Sequence, residues 1–143
     1  MKRKGLSIGL VAAVIAATAV VYWYAIGKEQ HELRRRRHQV TDILLACMMY
    51  ADKHGTRMPG DLRDLSEIYG QGHSFLARAI NELELVLPNA RTTDDPDAVL
   101  IRQKQADAKG RRMFGYLDGQ AVMLGADGHP IYPQPREPGI SRY

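Results

Sequence analysis

The first of three hydrophobic patterns along the chain is an uncharged, mostly apolar run from Gly5 to Gly27. A helix of this length rises about 1.5 Å per residue and is roughly 34 Å long, which exceeds the roughly 30 Å hydrocarbon core of a bilayer. Tyr22, Trp23 and Tyr24 near its end favour a headgroup layer. The run predicts a membrane anchor over residues 1–27.

A cleaved signal peptide is the alternative interpretation of the same segment. Lys2 to Lys4 would be its basic start, and Ala17-Thr18-Ala19 its small-residue cleavage site. The apolar run continues well beyond that site, which favours the anchor. Basic residues flank the run on both sides, so the charge count alone leaves the orientation open. The short basic start favours a single pass through the inner (cytoplasmic) membrane, with the head in the periplasm or outside.

The second pattern is an apolar stripe with spacings of three and four residues. It consists of Leu33, Val40, Ile43, Leu44, Cys47, Met48, Tyr50 and Ala51. Such spacing predicts an amphipathic helix over residues 28–54, which Gly55 ends. Because only Gly27 could interrupt the chain before it, one long helix is expected to contain both the anchor and the stripe.

Short elements are predicted after this helix. Pro59-Gly60-Asp61 begins a short helix that contains Leu62 and Leu65. Ser74 is expected to cap a third helix, from residue 75 to about 83. Residues 82–87 also alternate as a strand does, so the end of that helix stays open.

The third pattern, beyond Pro88, has a period of two. Residues 99–101, 113–117 and 121–124 are short apolar runs bounded by turn residues, and Asp118-Gly119 predicts a tight hairpin with positive φ angles. The prolines in 130–143 predict an extended tail that does not join a sheet. The expected fold class is α+β, in which the long helix packs on an antiparallel sheet of three or four strands. The head would cover residues 28–129.

The formal charge of +4 arises near the apolar run, because residues 38–143 carry 12 basic and 14 acidic side chains. This balance argues against a nucleic-acid partner, which would need a basic stripe on the head. Four consecutive basic residues, Arg34, Arg35, Arg36 and Arg37, could lie at a membrane surface, where each charge is worth about 1 kcal/mol beside anionic lipid. A solvated helix face is an equal alternative.

Residues 44–65 carry a family resemblance. Their order is Tyr-Ala, a polar stretch, Gly, an apolar residue, Pro and two spaced leucines, namely Tyr50, Ala51, Gly55, Pro59, Leu62 and Leu65. This order resembles type II secretion pseudopilins and their pilin-like relatives. Residues 116–122, with Asp118-Gly119, resemble the Asp-Gly hairpin near the end of many such proteins. The resemblance implies a pilin-like fold and other pilin-like or secretion-apparatus subunits as partners.

The resemblance also extends to the N-terminus, and three positions of the chain differ from the family, one near the N-terminus and two around the Asp-Gly hairpin. Basic residues before Gly5 and Leu6 resemble the leader that pilin-like proteins lose between these two positions. Leu10 stands where the family has a glutamate. Ala108 and Gln120 stand where many relatives with the Asp-Gly hairpin have histidines.

Chemistry at a site is weakly indicated. Cys47 lies among apolar residues, so it is interpreted as packing rather than as a reactive thiol. Asp94, Asp95 and Asp97 could bind calcium through clustered oxygens, and the resemblance includes calcium-binding members, but a solvated turn is favoured. The dispersed histidines lack the spacing of a helical zinc site. No catalytic residue, enzyme activity or cofactor is predicted.

The function expected from the sequence is that of a membrane-anchored, pseudopilin-like structural or accessory subunit of a type II secretion or pilus-like apparatus. It would act through helix packing and display of a small head. The alternative is a single-pass envelope anchor whose head binds a protein partner or ligand without assembling.

Overall fold

A computed structural model describes residues 4–132, with side chains described from Ala12 to Ile131. The elements are α1 Lys4–Lys53, a 3-10 helix Leu62–Leu65, α2 Ser66–Tyr69, α3 Ser74–Glu82, β1 Leu83–Leu85, β2 Val99–Gln103, β3 Arg112–Tyr116, β4 Ala121–Leu124 and β5 Pro130–Tyr132. The α+β class and the single long N-terminal helix are both confirmed.

The chain divides into two compact units, residues 1–35 and residues 36–143. In the first unit, every residue from 12 to 28 is exposed, including Val20, Val21 and Trp23. Within the part of the chain that is described, no helix combines the length and the apolar character needed to cross a membrane. The apolar run of the predicted anchor begins with residues 5–11, and the side chains of these residues lie outside the described set.

In the second unit, the C-terminal part of α1 packs on the sheet. The stripe residues Val40, Ile43, Leu44, Cys47 and Ala51 are all buried, as their spacing predicts. A Cβ atom added at Gly115 of β3 would lie 2.9 Å from Cδ1 of Leu44. Glycine at position 115 allows this close approach of helix and strand, because a larger residue there would force the buried Leu44 side chain to shift.

The sheet has five antiparallel strands in the order β1-β2-β3-β4-β5, rather than three or four. Met113 and Gly115 of β3 alternate with half-buried neighbours, and so do Ala121 and Met123 of β4. This alternation gives one buried face. The buried Gln103 of β2 is accommodated there because its Oε1 accepts a hydrogen bond from the Met113 N–H at 3.0 Å.

The prediction that the tail stays outside the sheet is wrong for residues 130–132. They form β5, which pairs with β4 at the edge of the sheet. Proline is compatible with the first position of an edge strand, because its missing N–H need not join a ladder there. Residues 133–143 of the predicted tail lie outside the described residues.

The N-terminal cap of one of the short helices, α3, differs from the prediction. Asp61 caps the 3-10 helix through its side chain, and Asp64 bonds back to the Asp61 N–H at 2.9 Å, which forms a capping box. Ser74 is not a cap, because it is already the first residue of α3. The extended residue before it, His73, takes the cap position without a side-chain hydrogen bond.

Candidate functional site

The residues that carry the sequence resemblance lie where α1 ends and the chain turns back. Ala51, Pro59, Leu62 and Leu65 are buried, so these four residues contribute to packing. Gly55 has φ +63, a left-handed conformation that suits a glycine just after a helix. These residues therefore form the end of α1 and the segment that follows it.

The Asp118-Gly119 hairpin connects β3 and β4 as predicted, but its turn type differs. Gly119 has φ +85, whereas Asp118 is not among the described residues with positive φ. The Gly119 N–H bonds to the Tyr116 carbonyl at 3.0 Å, and the Tyr116 N–H bonds to the Gln120 carbonyl at 2.9 Å. This is a three-residue loop, in which a turn is followed by one left-handed glycine.

The four arginines predicted for a membrane surface are divided between the two units. Arg34 and Arg35 belong to the first unit, and Arg36 and Arg37 belong to the second. Arg34 is exposed. Arg35 donates two hydrogen bonds to Glu32, with lengths of 3.0 and 2.8 Å. Its charge is thus already paired along the helix.

The calcium candidates Asp94, Asp95 and Asp97 serve the loop before β2. Asp94 Oδ2 accepts a hydrogen bond from the Arg91 N–H at 2.7 Å, and Asp95 Oδ1 accepts one from the Asp97 N–H at 3.0 Å. Among the described residues, no group of three or more His, Cys, Asp or Glu side chains is placed to hold a metal ion. The contacts of Asp94 and Asp95 are those of turn residues.

A polar candidate site is a cavity of about 410 Å³ beside the end of α1. It is lined by residues of the helix end, the following turn and the loop before β2. These residues are Tyr50, His54, Gly55, Thr56, Arg57, Met58, Asn89 and Arg91. We name it the helix-end cavity. All its residues belong to the second unit, and its volume lies in the range of small-molecule sites.

One wall of the helix-end cavity is aromatic. The rings of Tyr50 and His54 stack with their centroids 4.0 Å apart, and Nε2 of His54 lies 3.0 Å from a carboxylate oxygen of Glu67. Partial burial raises the pKa of the Tyr50 hydroxyl, Asp64 and Glu67 raise it further, and Arg57 lowers it. Arg57 therefore acts electrostatically on the aromatic wall.

Another wall is a short two-stranded bridge that pairs Arg57 with Arg91 in antiparallel orientation. Thr56 and Asn89, one on each strand, have φ +71 and +59 and are the two non-glycine residues with positive φ in the described chain. Sequence analysis missed this wall, because its two halves are more than 30 residues apart. The Asn89 residue just after Pro88 was the available signal, since Asn tolerates this conformation.

Comparisons of the chain with protein-family models, curated proteins and solved structures give no match. The candidate sites are therefore interpreted from the geometry of this chain.

Proposed function

We propose that the protein is a membrane-anchored, pilin-like subunit that acts by packing its long N-terminal helix against neighbouring helices while displaying a small head. The observation that carries the proposal is the exposed stretch 12–28 of α1. Val14, Ile15, Val20 and Val21 are each at least 59% exposed in it. Large apolar surfaces of this kind mark contacts with lipid or with other proteins.

The proposed environment of this helix is a bilayer together with other pilin-like helices. The uncharged run of the sequence continues back from Ala12 to Gly5, and α1 begins at Lys4. The short basic start before the span favours an N-terminus in the cytoplasm and a head outside. A reporter enzyme fused after Tyr143 tests the orientation, because one that is active only in the cytoplasm would contradict it.

Site-specific photocrosslinking tests the packing role. A photoreactive amino acid replaces Ala16, which is exposed on α1, in the full chain expressed in its own membrane. We expect crosslinked peptides from the N-terminal helix of another anchored chain, which includes other copies. The same residue placed at Ala108, exposed in the loop between β2 and β3, controls for random collisions. Capture of lipid alone at position 16 would contradict helix packing.

The second candidate function is a single-pass anchor whose head binds a partner or ligand without assembling. The helix-end cavity favours it, because this cavity joins polar and cationic side chains in a volume suited to a small molecule. Crosslinking separates the two functions. A monomeric anchor would give no helix-to-helix product at position 16, and the binding function alone would remain.

A further inference from the structure

Arg57 and Arg91 of the helix-end cavity lie directly opposite each other on the two strands of the bridge. Two backbone hydrogen bonds flank the pair, Met58 N to Ala90 O at 2.7 Å and Thr92 N to Thr56 O at 2.9 Å. In this pattern the residues between the bonds form a non-hydrogen-bonded pair, whose Cα atoms are about 4.5 Å apart. Arg57 and Arg91 therefore project from the same face of the bridge.

Two like charges directly opposite each other destabilise an antiparallel pair. Among the residues whose side chains are described, neither guanidinium group forms an ion pair. Asp94, in the same loop as Arg91, accepts a hydrogen bond from the backbone N–H of Arg91 and does not line the cavity. Both arginines are exposed. The cavity therefore joins two cations that are not paired with a carboxylate, while Glu67, outside the lining, lies 3.0 Å from Nε2 of the lining residue His54.

The backbone of the same wall is also strained, because two of its non-glycine residues have positive φ. Thr56 is β-branched and has φ +71, a conformation that is a clear outlier for such a residue. Asn89, on the other strand of the bridge, has φ +59 and lies opposite Pro59, whose carbonyl accepts a hydrogen bond from the Asn89 N–H at 3.1 Å. Strained residues of this kind concentrate where a protein holds a ligand. Both residues line the cavity beside the arginines.

The remaining lining supplies neutral donors around the two charges. The hydroxyl of Thr56, the amide of Asn89 and the hydroxyl of Tyr50 can all donate hydrogen bonds. The side-chain amide of Asn89 lies close to Gly60. A Cβ atom added at Gly60 would lie 3.3 Å from Oδ1 of Asn89. A site with paired cations and neutral donors matches an oxyanion, which guanidinium groups bind through two parallel hydrogen bonds.

We propose that the helix-end cavity binds a small molecule through an oxyanion group, either a carboxylate or a phosphate, held between Arg57 and Arg91. The bound anion would neutralise the repulsion between the opposed guanidinium groups. The site deepens the binding function given as the second candidate and is compatible with assembly as well, since its residues all belong to the second unit.

Calorimetric titration and thermal unfolding of the full chain in a non-ionic detergent test the proposal. The probes are inorganic phosphate and citrate, with sodium chloride at matched ionic strength as the reference. We expect saturable binding of at least one probe and a higher Tm in its presence. A preference between the two probes distinguishes a phosphate ligand from a carboxylate ligand.

Three variants assign the binding to the cavity. R57Q and R91Q should each weaken binding at least tenfold and remove the rise in Tm, while their Tm in chloride should equal or exceed that of the wild type, because one of two opposed charges is gone. R78Q changes an exposed arginine of α3 outside the cavity and should bind as the wild type does. Saturable binding that is retained in R57Q and R91Q, lost in R78Q, or absent from the wild type overturns the proposal. Crosslinking at position 16 tests the packing role separately, so a failure of anion binding and a failure of helix packing can be told apart.

Discussion

At the scale of single residues, Asp107 shows how one carboxylate can hold a loop. Its burial favours the neutral acid, but hydrogen bonds from the backbone and side chain of Arg111 and from the Lys109 backbone outweigh that effect and lower the pKa of Asp107. The side chain is only 10% exposed. A carboxyl group with a lowered pKa stabilises the fold above its unfolded-state value of about 3.9, and this stabilisation is lost as the pH falls through the folded-state pKa.

Asp107→Asn should therefore destabilise the head by about 2 kcal/mol at pH 7, the usual contribution of hydrogen bonds to a charged group. Thermal unfolding of the full chain in detergent, followed by circular dichroism, measures the difference. The difference should shrink as the pH falls below the unfolded-state value of about 3.9 and then through the lower folded-state pKa, because the carboxylate becomes protonated. Asp52→Asn, at an exposed position of α1, is the control and should be neutral. An equal loss at pH 7 and pH 3 would contradict the electrostatic role.

Leu44 and Leu45 provide a matched pair for the packing of α1 on the sheet. Leu44 is 1% exposed and contacts Gly115, whereas Leu45 is 58% exposed. Leu44→Asp should cost roughly 4 kcal/mol, because it removes core packing and buries a carboxyl group without a partner. Leu45→Asp should change the stability by less than about 0.5 kcal/mol. Equal melting temperatures for the two variants would exclude this helix-on-sheet packing.

Sequence periodicity predicted residues such as Leu44 because a buried stripe repeats every three or four positions. It gave no warning of Gln39, which is 3% exposed and whose side-chain amide has no hydrogen-bond partner among the described residues. A pattern of apolar residues does not predict that a polar residue beside them is buried. The opposed Arg57 and Arg91 were missed for a different reason, since their meeting depends on a bridge that only the folded chain forms.

At the scale of elements, the loop between β3 and β4 depends on one glycine. Gly119 has φ +85, and a Cβ there would also lie 3.0 Å from the terminal methyl of Met48. Gly119→Val should cost about 1 kcal/mol or more, because a β-branched residue resists positive φ. Gly119→Asn should cost less, since Asn tolerates the left-handed region. Urea unfolding of both variants measures the difference, and a Val variant as stable as the Asn variant would contradict the assigned turn.

Elements with a clear period and clear boundaries were predictable, and those set by tertiary pairing were not. β4 occupies Ala121–Leu124 as the alternation indicates. The ambiguous segment after Glu82 is resolved in favour of strand β1, because Leu83 to Leu85 find partners in β2, between Gln103 and Ile101. β5 was missed since local sequence cannot show that β4 offers Pro130 an unpaired edge.

At the scale of the whole molecule, the chain combines a helix with exposed apolar residues and a head that has its own core. Residues 12–28 of the first unit are all exposed, while the second unit buries large side chains from α1, the short helices and the sheet. Because this core lies within residues 36–143, we expect the head to fold by its own packing. We propose that the apolar surface of the exposed helix then serves contacts with lipid or other chains.

We expect the assembly of this protein to depend on Leu10, whose side chain lies outside the described set. In the pilin-like proteins that the sequence resembles, a glutamate at this position pairs with the terminal amine of a neighbouring subunit. A charge within lipid is tolerated when it has such a partner, and Leu10 cannot provide one. We therefore expect a low-abundance protein that does not form extended homopolymers, consistent with an accessory or tip-like position.

Expression of the wild type, Leu10→Glu and Leu10→Gln as the only pilin-like chain in a membrane tests this expectation. Sedimentation of detergent extracts should show no extended homopolymer for the wild type or for Leu10→Gln, and a shift to larger assemblies for Leu10→Glu, because only that variant restores the carboxylate. Intact-mass measurement shows whether the chain begins at Met1 or at Leu6, and the prediction holds for both forms since neither contains a carboxylate at position 10. Recovery of extended homopolymers from the wild type alone would refute it, because assembly would then proceed without the charge pair.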